Sequence, residues 1–338
     1  LGNRRSIVIG GLLMAIGQFF MFFSASVGAD GGVSLMWMGL TAIIIGNGFF
    51  KPNISTMVGQ LYPANDRRID SAFTIFYMGI NLGAFFSPLV CGSMDFKWGF
   101  LAAGVGMLIG LVAFVVGQKK YLVTEDGKAI GLPVKKLDAK SIAMIIGSIA
   151  IIFFMLNFKQ MFKSEVDIIS YLIYGAMIAM PILIFSDKSL TKIETQRITV
   201  IFLLAFFVIF FWGAFEQAGA SLTLFADRQT DRTIFGWEMP ASYFQSVNPL
   251  AVISLAPIMT IVWGFLYARK LEPSSPKKMA IGLGLVALGY VVIAIAVKGL
   301  GLGEKVSMWW LIGLYVIHTI GELCLSPIGL SMVSKLAP

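Results

Sequence analysis

The charged residues of this chain occur in clumps, and the stretches between the clumps are long enough to cross a lipid bilayer. Eight runs contain no Asp, Glu, Lys or Arg: 6–29, 31–50, 71–94, 98–118, 141–158, 168–186, 239–268 and 279–297. Two more, 198–226 and 306–334, are interrupted once each, by Glu216 and Glu322. About 20 apolar residues cross the hydrocarbon core as a helix, and backbone groups there must be satisfied internally. The sequence therefore predicts an all-α integral membrane protein with ten transmembrane helices.

Composition excludes several other classes of protein. Of the 338 residues 57% are hydrophobic and 13% charged, which is about half the charged share of an average soluble domain. Disordered and disulfide-scaffold proteins are therefore excluded. The two cysteines, Cys91 and Cys324, lie in apolar runs, and His318 is the one histidine. We therefore expect neither a disulfide framework nor a metal site.

Basic residues indicate the orientation of the spans. An even number of spans leaves both ends of the chain on one side. If that side is cytoplasmic, 18 of the 26 Lys and Arg residues lie in cytoplasmic loops and 7 in the opposite loops, with Lys51 inside a span. This asymmetry is typical of the positive-inside rule. The net charge of +8 therefore reflects topology, and we expect no nucleic-acid partner.

The spans group as four, two and four. Two charged segments, 119–140 and 187–197, separate the groups. We therefore expect an N-terminal bundle over 1–118, a linker with two helices over 119–194, and a C-terminal bundle over 195–338. The two central spans have no charge in their cores, and we expect them to be lipid-facing or peripheral.

Three charged residues, Lys51, Glu216 and Glu322, lie within spans, where an unpaired charge costs at least about 2.5–3.5 kcal/mol. Such residues face a cavity or a partner, so they are candidates for function; a structural ion pair between helices is the alternative. Carboxylates in a poorly hydrated cavity can bind and release protons near neutral pH, and a lysine there can hold an anionic group. This combination of carboxylates and a lysine suits the proton-coupled transport of a charged solute. For His318, one turn before Glu322, we expect packing rather than proton relay.

The runs 46–52 and 321–327 are weakly similar to each other, as in a faint internal repeat. Each begins with glycine, ends with proline six residues later and holds one ionisable residue. Spans that are interrupted by Gly and Pro in corresponding positions of two halves point to the binding site of a transporter.

The stretch FTIFYMGINLGAF at 73–85 resembles the signature of the proton-dependent oligopeptide transporters, a branch of the major facilitator superfamily. Further matches to that family run through the chain in order: GNGFFKPN at 46–53, FEQ at 215–217, FQSVNP at 244–249, and Gly321-Glu322 with Ser326. The family fold is two six-helix bundles around a central cavity, and its bacterial members insert two helices between the bundles. This resemblance implies that the chain begins before the third core helix and ends after the tenth.

The resemblance also implies how a peptide is held. Lys51 would attract the C-terminal carboxylate of the peptide, and Glu322 would meet its ammonium group. Asn81 and Asn248 would hydrogen-bond the ends of the peptide.

Three further roles follow from the same resemblance. Tyr77, one turn before Asn81 on the same face of the helix, and Ser326, one turn beyond Glu322, would line the pocket. Glu216 matches the proton-binding glutamate of the family, and Glu322 would share in proton coupling.

The function implied is a proton-coupled symporter that imports di- and tripeptides across the cytoplasmic (inner) membrane by alternating access. It would be driven by the proton gradient without a cofactor, with protons, peptides and the lipid bilayer as partners, and it would work as a monomer. Another solute, such as nitrate or an amino-acid derivative, is the alternative within the same fold. An intramembrane enzyme is disfavoured because the sequence offers no Ser/His/Asp set, no paired Asp and no metal ligands.

Overall fold

The computed structural model describes the chain in seven ranges: 1–63, 68–124, 126–133, 139–162, 166, 168–301 and 303–336. Four basic residues counted above in loops lie outside these ranges: Arg67, Lys135, Lys136 and Lys163. Parts of the predicted linker, 119–194, lie outside them as well. The division of the chain into two bundles and a linker stays a prediction.

The described ranges are almost entirely helical. The helices are α1 (Asn3–Val27), α2 (Ala29–Gln60), α3 (Arg68–Gly92), α4 (Phe96–Tyr121), α5 (Ala139–Phe162), α6 (Ile168–Phe185), α7 (Lys192–Phe215), α8 (Ser221–Gln229), α9 (Val247–Ala268), α10 (Ser275–Val297) and α11 (Met308–Leu336). Two short 3-10 helices span Glu216–Gly219 and Ala241–Ser246. The strands are β1 (Thr230–Asp231), β2 (Thr233–Ile234), β3 (Trp237–Glu238) and β4 (Val306–Ser307). β1 pairs with β4 in parallel, and β2 pairs with β3 as a small antiparallel hairpin.

The membrane-crossing character follows from length and hydropathy. Eight segments of the described residues are long and apolar enough to cross a membrane: α1, 31–60, 72–92, α4, 192–229, 241–268, α10 and 308–326. Two shorter apolar helices, Ile145–Phe158 and Ser170–Phe185, lie where the remaining two spans are predicted. Large apolar side chains face outward, as Val116 (75% exposed) and Ile261 (72%) illustrate. Such a surface suits a lipid environment better than water.

The chain divides into two compact units. One consists of Leu1–Tyr77 and Met94–Ile182, and the other of Met78–Ser93 and Leu183–Pro338. The two halves of α3 therefore belong to different units. In the second unit, Ser246 Oγ donates to the carbonyl of Phe85 at 2.8 Å, which ties the second half of α3 to the 3-10 helix before α9.

In the first unit, α1 packs against α2 and α4, and glycines bring the backbones of α1 and α2 into contact. A Cβ added at Gly10 would lie 2.6 Å from the carbonyl oxygen of Gly46, and one added at Gly46 would lie 2.7 Å from that of Gly10. Gly17 and Gly39 meet in the same way, at 2.8 and 2.9 Å. Small residues allow membrane helices to approach this closely, where van der Waals packing replaces the hydrophobic effect.

The second unit contains an equivalent crossing between α10 and α11. A Cβ added at Gly282 would lie 2.7 Å from the carbonyl oxygen of Gly321, and the reciprocal distance is 2.8 Å. Gly46 and Gly321 are also the first residues of the two similar sequence runs, 46–52 and 321–327. Each run therefore begins where its own helix touches the backbone of a neighbouring helix.

Two buried polar side chains, Asn157 and Arg4, join separate segments of the first unit. Asn157 of α5 is buried and donates through Nδ2 to the Thr41 hydroxyl of α2 at 2.9 Å. Arg4, at the start of α1, is also buried; its Nε donates to the carbonyl of Ile130 at 2.7 Å and its Nη2 to that of Leu122 at 2.5 Å. Arg4 thereby holds the loop after α4 against the first turn of α1. The central helix α5 carries no charge in its core, as the sequence indicates, but it does carry one buried polar contact.

The close crossing of α1 and α2 gives the first prediction. Gly46→Ala should lower the free energy of unfolding by about 1–3 kcal/mol, the usual cost of overpacking, because the new methyl group meets the Gly10 carbonyl and the Met14 backbone. Gly48→Ala is the matched control, since nothing lies within 4 Å of its Cβ position. In a helix that change should be neutral or slightly stabilising. Thermal unfolding in detergent measures both, and equal midpoints would contradict the crossing.

Candidate functional site

A polar cluster joins α9 to α11 in the second unit. Asn248 lies in the first turn of α9, and its Nδ2 donates to Glu322 Oε2 and to Thr319 Oγ1, each at 3.0 Å. The Thr319 hydroxyl in turn donates to the carbonyl of Tyr315 at 2.7 Å. Thr319 and Glu322 are three residues apart and therefore share one face of α11. The geometry brings together two of the sequence-predicted residues, Asn248 and Glu322.

Glu216 lies at an interruption of a long apolar helix. α7 ends at Phe215, the 3-10 helix follows, and α8 begins at Ser221. Irregular backbone within a membrane span is tolerated where it lines a cavity, and a cavity of about 320 Å³ adjoins this interruption. Its polar lining consists of Glu216, Gln245, Asn248, Tyr315 and His318.

Two acidic residues of the second unit, Glu216 and Glu322, lie close to Asn248. Asn248 links them structurally, because it lines the cavity beside Glu216 and donates to Glu322. A carboxylate beside such a cavity has the chemistry to hold a proton or a cationic group.

His318 is buried against α10. Its Nε2 lies 3.0 Å from the carbonyl oxygen of Val286, and since a carbonyl only accepts, Nε2 carries the proton. The ring lies between those of Tyr290 and Phe215, with centroids 5.1 and 6.1 Å away. Packing and a satisfied hydrogen bond account for this side chain, although one of its edges lines the cavity.

Ser326 faces a different cavity from Asn248. It lies on α11, and its buried hydroxyl has no hydrogen-bond partner among the described residues. The cavity beside it, of about 430 Å³, is apolar and is lined by Trp212, Met279 and Leu325 among others. The pocket-lining role of Ser326 stays a prediction.

Lys51 is an exposed residue of α2 in the first unit. The helix continues through Pro52, although proline cannot donate a backbone hydrogen bond. Polar side chains bond the carbonyls of this turn: Asn53 Nδ2 donates to Phe49 at 2.8 Å, and Ser55 Oγ donates to Lys51 at 3.2 Å. Lys51 therefore lies within a helix that continues on both sides of Pro52.

Tyr77 and Asn81 both lie on α3, one turn apart as predicted. Tyr77 is 45% exposed, whereas Asn81 is buried. Tyr77 belongs to the first unit and Asn81 to the second. Their roles toward a substrate stay predictions.

Sequence reasoning missed several residues of the cluster. Thr319 could have been found, because it precedes Glu322 by three residues on one helical face. Tyr290 could not, because its hydroxyl bonds the carbonyl of Ala214, 76 positions away, at 2.7 Å. Among the described residues, no group of three His, Cys, Asp or Glu side chains is arranged to hold a metal ion.

The Asn248 cluster gives the second prediction. Asn248→Leu should lower the free energy of unfolding by about 1–3 kcal/mol, because the partly buried Glu322 carboxylate loses a hydrogen-bond donor. Thr319→Val should cost about 1 kcal/mol, since Asn248 then keeps its bond to Glu322. Ser254→Ala is the control on α9; its exposed hydroxyl bonds only within its own helix, and its effect should stay within about 0.5 kcal/mol. Thermal unfolding measures these changes. An equal unfolding midpoint for Asn248→Leu and Ser254→Ala would contradict the hydrogen bonds of the cluster.

Comparison with known families gives one match along nearly the whole chain. The family model described as PTR2, POT family, matches residues 4–338. A peptide transporter of Yersinia enterocolitica is 35% identical over 362 residues, covering 100% of this chain and 68% of the relative. Dipeptide and tripeptide permease A of Escherichia coli is 30% identical over 347 residues, covering 100% of this chain and 66% of the relative.

Solved structures are similar over the same extent. The crystal structure of a peptide transporter POT with sulfate has a TM-score of 0.83 and 34% identity, and the match covers 100% of this chain and 69% of the other. A POT family transporter in complex with 5-aminolevulinic acid has a TM-score of 0.81 and 35% identity, with 100% and 70% covered. These likenesses confirm the predicted all-α membrane fold of the major facilitator type.

Proposed function

This chain belongs to the POT family of transporters, and from that premise we propose that it serves as a proton-coupled symporter that imports di- and tripeptides. Similar proteins that are named as peptide transporters and as dipeptide and tripeptide permeases support the substrate class. One structural observation carries the proposal. The Glu322 carboxylate is hydrogen-bonded by Asn248 beside a cavity that Glu216 lines.

Chemistry assigns the substrate roles. A peptide at neutral pH carries an ammonium group and a carboxylate, and it needs a fixed anion and a fixed cation. Glu322 supplies the anion and Lys51 the cation, while Asn81 and Asn248 offer amides to the ends of the peptide, with Tyr77 and Ser326 lining the pocket. Charge-assisted hydrogen bonds of this kind are about twice as strong as neutral ones.

Proton coupling is assigned to Glu216 and Glu322. A proton on Glu322 weakens its hold on an ammonium group, and Asn248 both donates to Glu322 and lines the cavity beside Glu216. Substrate and protons therefore bias the same alternating-access equilibrium.

An amino-acid derivative is the second candidate substrate. The similar POT family transporter that was solved with 5-aminolevulinic acid favours it. This compound also carries one ammonium group and one carboxylate, so the same fixed charges would serve. Nitrate has no ammonium group and would leave Glu322 without a cationic partner.

The protein is a multi-pass membrane protein, and we place it in the bacterial inner membrane with both ends of this chain cytoplasmic. The excess of 18 basic residues over 7 in the loops supports this orientation. We further propose that it needs no cofactor and works as a monomer.

The third prediction tests the two fixed charges in the full-length protein. Glu322→Gln and Lys51→Ala should each reduce gradient-driven dialanine uptake into proteoliposomes by at least about tenfold, since each removes one charge-assisted contact. Glu304→Gln and Lys298→Ala are matched controls in an exposed loop and should transport normally. Full uptake by both site variants would refute the charge assignment.

Competition identifies the substrate in the same assay. Unlabelled dipeptide should suppress uptake of labelled dialanine, and nitrate should not. Suppression by 5-aminolevulinic acid but not by dipeptides would favour the amino-acid derivative.

The fourth prediction separates proton coupling from binding. Glu216→Gln should abolish gradient-driven accumulation, because the amide cannot exchange a proton, yet it should retain peptide counterflow exchange at equal pH on both sides. Loss of both activities would instead assign Glu216 to substrate binding.

A further inference from the structure

The interruption of α7 is held from outside by side chains of two other helices. Glu216–Gly219 forms a 3-10 helix, and Ala220 follows with φ −124° and ψ −98°, well away from helical values. Carbonyls at an interrupted helix need donors other than the regular ladder. Tyr290 of α10 donates its hydroxyl to the carbonyl of Ala214 at 2.7 Å, and the Tyr315 hydroxyl of α11 lies 3.5 Å from the carbonyl of Ala218.

These two carbonyls bracket Glu216, one two residues before it and the other two residues after it. The shorter bond, from Tyr290, fixes the last turn of α7. The longer one comes from Tyr315, which is 3% exposed and lies one helical turn before Thr319 on α11. Thr223 also donates to the Ala218 carbonyl, at 2.7 Å, so the exit from the interruption is secured within its own chain segment as well.

We propose that Tyr290 and Tyr315 are positioning residues that set the orientation of Glu216, with Tyr290 as the principal one. The proposal rests on the proton-coupling role proposed above for Glu216. Because α11 carries both Tyr315 and Glu322, a movement of α11 on substrate binding shifts the backbone that bears Glu216. Tyr315 thus joins the helix that carries Glu322 to the segment that carries Glu216, and Tyr290 joins α10 to the same segment.

The hydroxyl of Tyr290 does something that its ring does not. The side chain packs against the apolar cluster that Phe211, Met279, Val286 and Leu325 form between α7, α10 and α11. Phenylalanine at this position keeps that packing and removes one hydrogen bond. Tyr290→Phe is therefore a substitution that separates orientation from core packing.

Few other groups near Glu216 can titrate. From α10 the segment faces Tyr290, and from α11 it faces Tyr315, His318 and Glu322. The 3-10 helix before α9, α9 itself and the second half of α3 present neutral residues to the cavity: Gln245, Asn248, Ala84 and Pro88. A change in the pH profile of gradient-driven uptake in Tyr290→Phe is therefore traced to Glu216 when the rate of carboxyl labelling at Glu216 changes as well.

The first experiment compares Tyr290→Phe with the full-length wild type in proteoliposomes. We expect gradient-driven uptake to fall by about fivefold, the size of effect that loss of one hydrogen bond produces, and its pH midpoint to shift. Peptide counterflow should stay within about twofold, since the substrate contacts are untouched. Tyr267→Phe, on the exposed face of α9 with the side chain 73% exposed, should match the wild type throughout. A parallel fall in both activities with an unchanged pH midpoint would show a structural role and overturn the proposal.

A second measurement does not depend on transport. Dicyclohexylcarbodiimide modifies protonated carboxyl groups in apolar surroundings, and peptide mapping by mass spectrometry reports the modification of Glu216, with Glu216→Gln as the blank. Tyr290→Phe should change the labelling rate at Glu216 by at least about threefold, and Tyr267→Phe should not. If the wild type shows no gradient-driven uptake, the proposed function fails. The labelling rate at Glu216 then tests the positioning role of the tyrosines by itself. An unchanged rate at Glu216 would overturn their positioning role.

Discussion

The absence of water in the bilayer core is the constraint on which the rest of this structure depends. Every backbone N–H and C=O in that region needs a partner within the protein, which selects helices. It also removes the hydrophobic effect as a force between helices, because lipid tails are as apolar as leucine. Helices must then associate through close packing and a small number of polar contacts. The glycine crossings of α1 with α2 and of α10 with α11 supply the first, and buried side-chain hydrogen bonds supply the second.

The polar contacts have a common pattern. Asn157 with Thr41, Asn248 with Glu322, and Tyr290 with the Ala214 carbonyl each join two different helices. Each fixes a rotation and a register that apolar packing alone would leave loosely specified. In the second unit these contacts surround the interruption of α7, so the irregular backbone and the ionisable groups occur together. This is expected where backbone groups released from a helix must be satisfied by side chains that also do chemistry.

Much of the architecture could be predicted from the spacing of charged residues. The ten apolar runs coincide with apolar helices, and the family resemblance seen at 73–85 agrees with a match over residues 4–338. The contacts between helices were beyond such reasoning, because rotation and depth depend on packing across distant parts of the chain. Asn248 and Glu322 were each predicted as site residues, yet nothing in the sequence predicts that Asn248 Nδ2 lies 3.0 Å from Glu322 Oε2. The separate cavity beside Ser326 is another example, since its position depends on how α7, α10 and α11 face one another.

The hydrogen bonds of Arg4 show that part of the connection between α4 and α5 is held against α1. In the sequence, this connection is the charged segment 119–140, which belongs to the predicted linker. Its first part is closed by the bridge between Val123 and Ala129, and Arg4 fastens it to α1 on either side of that bridge. At Leu122 and Ile130 the connection is therefore part of the folded first unit, because its release would leave the buried guanidinium group of Arg4 without these two carbonyl acceptors.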